Sequence, residues 1–83
     1  MAINSQTIQY PFTHADLLMK ADYDGGSYVV YLGYAAPGTA TSASAWQIRK
    51  YTYSGSNVTS CDFASGTNEY DKVWDDRATY SYS

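Results

Sequence analysis

An abundance of tyrosine beside a scarcity of leucine and glutamate is the feature that most constrains how this chain can fold. Ten residues are tyrosine, two are tryptophan and two are phenylalanine. Aromatic side chains suit the pleated, half-buried surface of a sheet. Leucine occurs three times and glutamate only at Glu69, which is a poor composition for helices. The sequence therefore predicts an all-β fold whose core is built from tyrosine and tryptophan.

The size of the chain limits how much aromatic surface it can bury by itself. With 83 residues it forms at most one domain, and such small domains have a narrow stability margin unless cross-links or association help. A single cysteine, Cys61, excludes a disulfide within the chain, and a single histidine, His14, excludes a Cys/His zinc site. We therefore expect additional buried area to come from self-association or from docking on a partner.

The charge balance argues against nucleic acid as a partner, and the lack of a long apolar stretch argues against a membrane. The net charge is −3 and the pI about 4.6, and the five cations are scattered, whereas binding to a phosphate backbone needs them clustered. The N-terminal sequence MAINSQTIQYPF has no basic segment and no long apolar run, so it does not predict a secretory signal. The most apolar stretch, Tyr28–Ala36, is too short to span a bilayer. We expect a soluble protein made in a cytoplasm.

The N-terminal part of the chain predicts an arm followed by a strand. Residues 1–13 are mostly polar and include Pro11, which predicts an extended arm or an edge strand; residues 14–83 then form a single small β domain. Thr13 and Asp16 have the spacing of a capping box, which would begin a short helix. The alternative, which we favour, is a strand that places four apolar residues on one face: Leu17, Met19, Ala21 and Tyr23.

A first hairpin is predicted around the DGG sequence at residues 24–26, which is a strong turn signal. Ser27–Tyr34 follows it and is apolar on both faces, which is typical of a strand covered on both sides. The next residues, Ala35–Ala45, are mostly small and contain Pro37-Gly38, so they predict a connecting loop.

A second hairpin is predicted from Trp46–Tyr53 and Asn57–Ala64, with a turn around Gly55. The alternation of apolar and polar residues changes phase inside the first of these strands. A bulge near Arg49 and Lys50 would explain the change, and so would a strand that is buried on both faces.

The C-terminal part of the chain predicts a helical turn and a final strand. Three large residues recur at helical spacing, which favours one irregular turn: Tyr70, Val73 and Trp74. Arg77–Ser83 then alternates, with Ala78, Tyr80 and Tyr82 on one face, and this predicts a sheet strand. The whole pattern predicts a small antiparallel β-sandwich or barrel built from hairpins, with at most one short helical turn.

The carboxylates are the most plausible acid/base groups, but their spacing does not suit catalysis. Asp75 and Asp76 are adjacent, so they point to opposite sides of an extended chain, whereas catalytic pairs share a gap of about 5–10 Å. An ion pair between an aspartate and Arg77 is the better interpretation. The DYDGG sequence, Asp22–Gly26, is similar to the beginning of a calcium loop but lacks the distal ligand, and it predicts a hairpin turn instead.

Cys61 and His14 could pair as a nucleophile and a base, but no orienting group or oxyanion motif accompanies them. Cys61 is instead predicted to be a small buried hydrophobic residue. The sequence therefore predicts no catalytic residue, no cofactor and no metal site.

The aromatic residues support two further interpretations. They could form a stacking platform for a sugar, or they could build the core and a subunit interface, which is the more economical use of large aromatics. The candidate interface or binding residues are Tyr31, Tyr34, Trp46, Tyr51, Tyr53, Trp74, Asp75, Asp76, Arg77, Tyr80 and Tyr82.

Two stretches, YLGYAAPGTATSASAWQIRKYTYSGSNVT and FASGTNEYDKVWDDRATYSYS, together resemble a type of short protein encoded by tailed bacteriophages. The resemblance covers about two-thirds of the chain and lies in Gly33, Pro37-Gly38, Trp46–Lys50, Ser54-Gly55 and Trp74–Arg77. The chain departs from the pattern at positions 49 and 50, where both residues are basic. The resemblance implies a role in the virion or its tail and supplies no catalytic residues.

Two hypotheses of different kinds follow. The first is a structural virion protein (a capsid decoration, a tail or fibre component, or a filament subunit) that binds copies of itself and other virion proteins. In it the N-terminal arm crosses to a neighbour, and Asp75, Asp76 and Arg77 set the subunit register by charge pairing. The alternative is a glycan- or receptor-binding β module on a particle surface, where repetition adds avidity. An enzyme is not expected.

Overall fold

A computed structural model of the chain describes residues 16–83; the predicted arm at residues 1–13, and His14, lie outside them. The described residues form five strands and one 3₁₀ helix: β1 (Leu18–Asp22), β2 (Tyr31–Ala35), β3 (Ser44–Ser54), β4 (Asn57–Phe63), β5 (Lys72–Val73) and the helix Trp74–Thr79. Strands β1 to β4 follow one another as an antiparallel meander, and β5 pairs with the beginning of β3. The prediction of a small all-β fold with one short helical turn is confirmed.

The first hairpin turns at the DGG sequence, as predicted. The N–H of Gly26 donates to the carbonyl of Tyr23 (2.8 Å), and Asp24 and Gly25 have φ angles of 49° and 79°. Positive φ at both central residues defines the tight turn that matches the twist of a hairpin. Strand β2 begins later than predicted, at Tyr31 instead of Ser27, because residues 27–30 still belong to the connection.

Strand β3 is the centre of the sheet. It is 11 residues long, and along its length it pairs with β5, β2 and β4. Three consecutive residues in it are buried: Trp46, Gln47 and Ile48. Because successive side chains of a strand point to opposite faces, burial of both faces explains the change of phase in the sequence. The pairing irregularities of β3 lie between Ser44 and Trp46 and between Thr52 and Tyr53, so the predicted bulge near Arg49 and Lys50 was wrong in position.

One face of the sheet, which we call the core face, carries the hydrophobic core. The buried cluster consists of Ala35, Trp46, Ile48, Ala64 and Trp74, and four partly buried residues pack against it: Leu18, Tyr31, Tyr80 and Tyr82. The two indole rings lie 5.8 Å apart between centroids. Aromatic pairs at this separation contribute about 1 kcal/mol beyond the area that they bury.

The C-terminal segment covers the core face, and of the predicted strand only the last residues pair with the sheet, where Tyr82 bridges Ala64. Residues 74–79 form a 3₁₀ helix with local contacts three residues apart: Arg77 Nη1 donates to the Trp74 carbonyl (3.1 Å) and Thr79 Oγ1 to the Asp76 carbonyl (2.6 Å). The last residues then meet the end of β4, where Ser83 exchanges backbone hydrogen bonds with Phe63. The alternation of Ala78, Tyr80 and Tyr82 predicted a strand, because a pattern confined to these residues does not show that a helical turn is needed to bury Trp74.

Candidate functional site

The structure distributes the predicted interface residues over separate surfaces instead of collecting them at one site. Five of them lie on the core face: Trp46, Trp74, Tyr31, Tyr80 and Tyr82. Two lie on the opposite face of the sheet, Tyr34 and Tyr51, and Tyr53 lies at the end of the second hairpin. The other three, Asp75, Asp76 and Arg77, belong to the 3₁₀ helix, which begins at Trp74.

Both tryptophans are core residues and present almost no surface to a ligand. Trp46 is fully buried, and Trp74 is 6% exposed. Tyr31 and Tyr82 pack beside them with their ring centroids 5.8 Å apart. Burial first, and the neighbouring Tyr31 second, raise the pKa of Tyr82 well above its ordinary range, and its hydroxyl donates to the carbonyl of Arg77 (2.6 Å). A glycan platform built on the two tryptophans is therefore incompatible with this packing.

The opposite face of the sheet carries an arginine between two aromatic rings. The guanidinium carbon of Arg49 lies 5.3 Å from the ring centroid of Tyr34 and 5.1 Å from that of Phe63. Its Nε donates to Oε1 of the buried Gln47 (3.0 Å), whose amide nitrogen donates to the carbonyl of Asn68 (2.9 Å). These cation–π contacts and hydrogen bonds fix the Arg49 side chain against the sheet, so it has a structural role here.

Tyr51 and Cys61 are directly opposite each other on the same face, as partners in the pairing of β3 with β4. Partial burial, together with the neighbouring thiol, raises the pKa of Tyr51. Cys61 itself is exposed, so the prediction of a buried cysteine was wrong. The reason is its position on β4, which pairs with β3 at one edge of the meander.

Arg77 forms an ion pair with Asp22 on β1, and not with the adjacent aspartates as predicted. Its Nε lies 2.7 Å from Oδ2 of Asp22, and its guanidinium carbon lies 4.6 Å from the ring centroid of Trp74. The other Asp22 oxygen accepts the N–H of Asp24 (2.8 Å). Asp75 and Asp76 are exposed at the beginning of the 3₁₀ helix. The ion pair therefore connects the C-terminal segment to the first strand, 55 residues earlier in the chain.

The environment of Asp22 makes the stability of the protein depend on pH. The N–H of Asp24 and then the Arg77 guanidinium lower the pKa of Asp22 below its ordinary value of 3.8. The folded protein therefore binds a proton at Asp22 less readily than the unfolded chain does. The contribution of the Asp22 carboxylate to the free energy of unfolding is present above about pH 4 and is lost as the pH falls further. We expect Asp22→Asn, which keeps an oxygen for the turn but removes the charge, to be less stable than wild type at pH 7 and to approach it at pH 3.

Thermal unfolding followed by circular dichroism at pH 7, 5 and 3 measures this difference. Asp76→Asn is the matched control, because it removes the same charge from an exposed side chain. A constant gap between Asp22→Asn and wild type across that range would show that the pKa of Asp22 is not lowered by folding.

The sequence did not single out the outer edge of β1 as a site. A shallow groove of about 370 Å³ lies between this strand and the 3₁₀ helix, lined by Met19, Lys20, Ala21, Asp22, Trp74 and Arg77. Met19 is 53% exposed, although it is a large apolar residue. A Lys-x-Asp pattern on a strand is a weak signal by itself, because its meaning depends on that strand being at the edge of the sheet.

A second apolar surface lies at the end of the second hairpin. Tyr53 is paired with Val58, which is 55% exposed. The ring of Tyr28 stacks on that of Tyr53, with 5.1 Å between their centroids. The Tyr53 hydroxyl donates to the carbonyl of Val29 (2.7 Å), so this contact also holds the connection between β1 and β2 against the second hairpin.

The fold and these surfaces define a small all-β protein with apolar side chains exposed at a sheet edge and at a hairpin end. Comparisons with protein-family models, with curated proteins and with solved structures find no match to the chain. Within residues 16–83, no three histidine, cysteine, aspartate or glutamate side chains are grouped so that they could hold a metal ion. In the same part of the chain, no helix has the length and apolar character needed to cross a membrane.

Proposed function

We propose that this chain is a structural subunit of a virus particle, and that it works by associating with copies of itself and by docking on other virion proteins. The observation that supports this most is the number of large apolar residues left exposed on so small a core. In the described part of the chain they are Met19, Tyr23, Tyr28, Val58 and Tyr70.

The small size of the core is the reason why exposed apolar residues favour association. The buried cluster contains only five residues, two of which are alanine. Cores of such small domains supply only a few kcal/mol, and association that covers exposed apolar side chains adds to the stability of the folded state. A subunit that is completed by its neighbours has both of these features.

The assignment to a virus particle depends on the resemblance of the sequence to short proteins of tailed bacteriophages. The acidic net charge of −3 is compatible with an outer structural role, because it does not favour contact with packaged nucleic acid. The location in a virion, the position in the assembly and the docking on other virion proteins are proposed together with it.

The alternative, a glycan- or receptor-binding module, has less support. Its two strongest candidate residues, Trp46 and Trp74, are buried. The aromatic residues left for stacking on a sugar are the exposed tyrosines, of which Tyr23 and Tyr28 belong to the connection between β1 and β2.

The mass of the protein in solution tests the proposal. We expect light scattering to show a multimer of the 9.2 kDa chain whose population grows with concentration, because association is driven by mass action. A variant that lacks residues 1–12 measures how much of this association depends on the predicted arm. A monomer in both cases, up to millimolar concentration, would contradict the structural proposal and favour the binding module.

A further inference from the structure

No other strand within residues 16–83 covers the outer edge of strand β1. Among residues 16–83, β1 pairs only with β2. Ala64 donates its N–H to the carbonyl of Ile48, so Ile48 directs its hydrogen-bonding groups to the β4 side, and its partner Gly33 on β2 directs its own to β1. Gly33 is the partner of Lys20, and the N–H and C=O groups of Met19 and Ala21 therefore point away from the sheet. An incoming strand would find two donors and two acceptors there.

We propose that β1 binds β1 of a second copy of this chain as an antiparallel pair, with a two-fold axis at Ala21. This inference depends on the proposed function, because it assigns one contact by which the subunits associate. In this register Ala21 lies opposite the partner's Ala21, and the two residues exchange backbone hydrogen bonds. Lys20 lies opposite the partner's Asp22, and by symmetry this pair forms twice.

Charge selects this register over its neighbours. A shift of two residues in one direction places Lys20 opposite the partner's Lys20, and a shift in the other direction places Asp22 opposite the partner's Asp22. Like charges directly opposite each other destabilise a strand pair, and opposite charges stabilise it. A lysine on an edge strand usually discourages pairing, but in the proposed register it has an acidic partner and no like charges lie opposite each other.

The exposed apolar residues select the same register. Residue 19 pairs with residue 23 of the other copy, so Met19 lies opposite the partner's Tyr23, again twice. These side chains are 53% and 48% exposed in the single chain. Met19 lies on the face of the sheet opposite Lys20 and Asp22, and Tyr23 directly follows the last residue of β1. One register therefore covers two apolar pairs and forms two charge pairs.

The groove beside β1 orients the acidic group for this contact. Arg77 holds Asp22 from the 3₁₀ helix at 2.7 Å, and a carboxylate can accept several hydrogen bonds at once. The lysine of the second copy would reach Asp22 from the open side of the strand, so each carboxylate would lie between two cations. Arg77 is thus a positioning residue, and the lysine supplies the contact between subunits.

Disulfide trapping in the full-length chain tests the register. Cys61 is first replaced by serine, and cysteine is then introduced at position 21 or, as the matched control, at position 19; both sites are exposed. In the proposed pair the Cα atoms of the two Ala21 residues lie about 5.5 Å apart, within disulfide range. The two Met19 residues are offset by four positions, about 13 Å along the strand. Mild oxidation should therefore cross-link Ala21→Cys and leave Met19→Cys uncross-linked.

The outcomes separate the register from the proposed function. A multimer whose Ala21→Cys variant does not cross-link, or whose Met19→Cys variant does so instead, overturns the β1 register but leaves self-association standing. A protein that remains monomeric at every concentration overturns both. Circular dichroism of the reduced variants checks that they are folded, and this is expected because neither side chain belongs to the core.

The charge pair provides a second measurement. Lys20→Glu places an acid opposite Asp22 of the other copy at two symmetric positions, and it should raise the dissociation constant about tenfold. Lys20→Arg keeps the charge and should leave the dissociation constant within about twofold of wild type. Sedimentation velocity at low ionic strength measures both, and equal dissociation constants for the two variants would contradict the proposed pairing of Lys20 with Asp22.

Discussion

Replacing Gly33 by alanine will destabilise the folded protein by about 3 kcal/mol, the upper part of the range for overpacking a core. Gly33 lies in the middle of β2, directly beneath the two tryptophans of the core face. A Cβ atom at this position would lie 2.5 Å from Cε3 and 2.7 Å from Cζ3 of Trp74, and 3.1 Å from Cε3 of Trp46. Carbon atoms in proteins pack at about 3.5–4.0 Å, so one indole ring must move.

The movement is costly because both rings are packed against other side chains. Trp46 is fully buried, and Trp74 packs against it with the two rings tilted by 36°, and against Arg77. Displacing Trp74 would also shift the 3₁₀ helix that begins with it, and with the helix the ion pair between Arg77 and Asp22. A single methyl group at Gly33 therefore affects the contact between the C-terminal segment and the sheet.

Urea unfolding followed by tryptophan fluorescence measures the effect. Gly26→Ala is the matched control: its Cβ would meet only the carbonyl oxygen of Tyr23 at 3.4 Å, so its free energy of unfolding should stay within about 0.5 kcal/mol of wild type. A double-mutant cycle identifies the cause, because Gly33→Ala should cost much less when Trp74 is already leucine. If the two changes are additive, the clash with the Trp74 ring is not the reason for the loss.

The parts of the fold that could be predicted from the sequence are those set by neighbouring residues. Asp24 and Gly25 encode a turn through their φ angles, and Gly55 (φ 64°) does the same in the second hairpin. Both hairpins were therefore predicted close to their observed positions. A helical turn was predicted around Tyr70–Trp74, but the 3₁₀ helix lies at Trp74–Thr79, because its position depends on packing Trp74 against Gly33, which is distant in sequence. Alternation within Arg77–Ser83 contains no information about that contact.

The candidate site was harder to predict than the fold, for a similar reason. Tyr31, Tyr80 and Tyr82 were candidate interface or binding residues in the sequence, and in the structure they pack partly buried against the core. Whether an aromatic residue is covered depends on which face the C-terminal segment occupies. The same holds for the edge of β1. Lys20 and Asp22 become candidate interface residues only once the strand order shows that β1 lies at the edge of the meander.

Replacing Trp46 by alanine will destabilise the protein by about 4 kcal/mol, which is the middle of the range for a buried tryptophan. Small domains are stable by only about 5 kcal/mol or a little more, so we expect this variant to be largely unfolded at 37 °C. Trp46 has no exposed surface, and its indole nitrogen donates to the carbonyl of Ala40 (3.0 Å). The side chain thus fills the core and also holds the connection between β2 and β3.

Trp46→Phe separates these two contributions. Phenylalanine fills part of the volume but cannot donate to Ala40, so this variant should lose about 2 kcal/mol, intermediate between wild type and alanine. Tyr70→Ala is the control for removing an exposed aromatic residue (43% exposed), and it should change the free energy of unfolding by less than about 0.5 kcal/mol. Differential scanning calorimetry of the three variants at one protein concentration, held constant because association shifts the melting temperature, gives the order. Equal losses for Trp46→Ala and Tyr70→Ala would mean that stability comes from contacts between subunits and hardly at all from the core of the single chain.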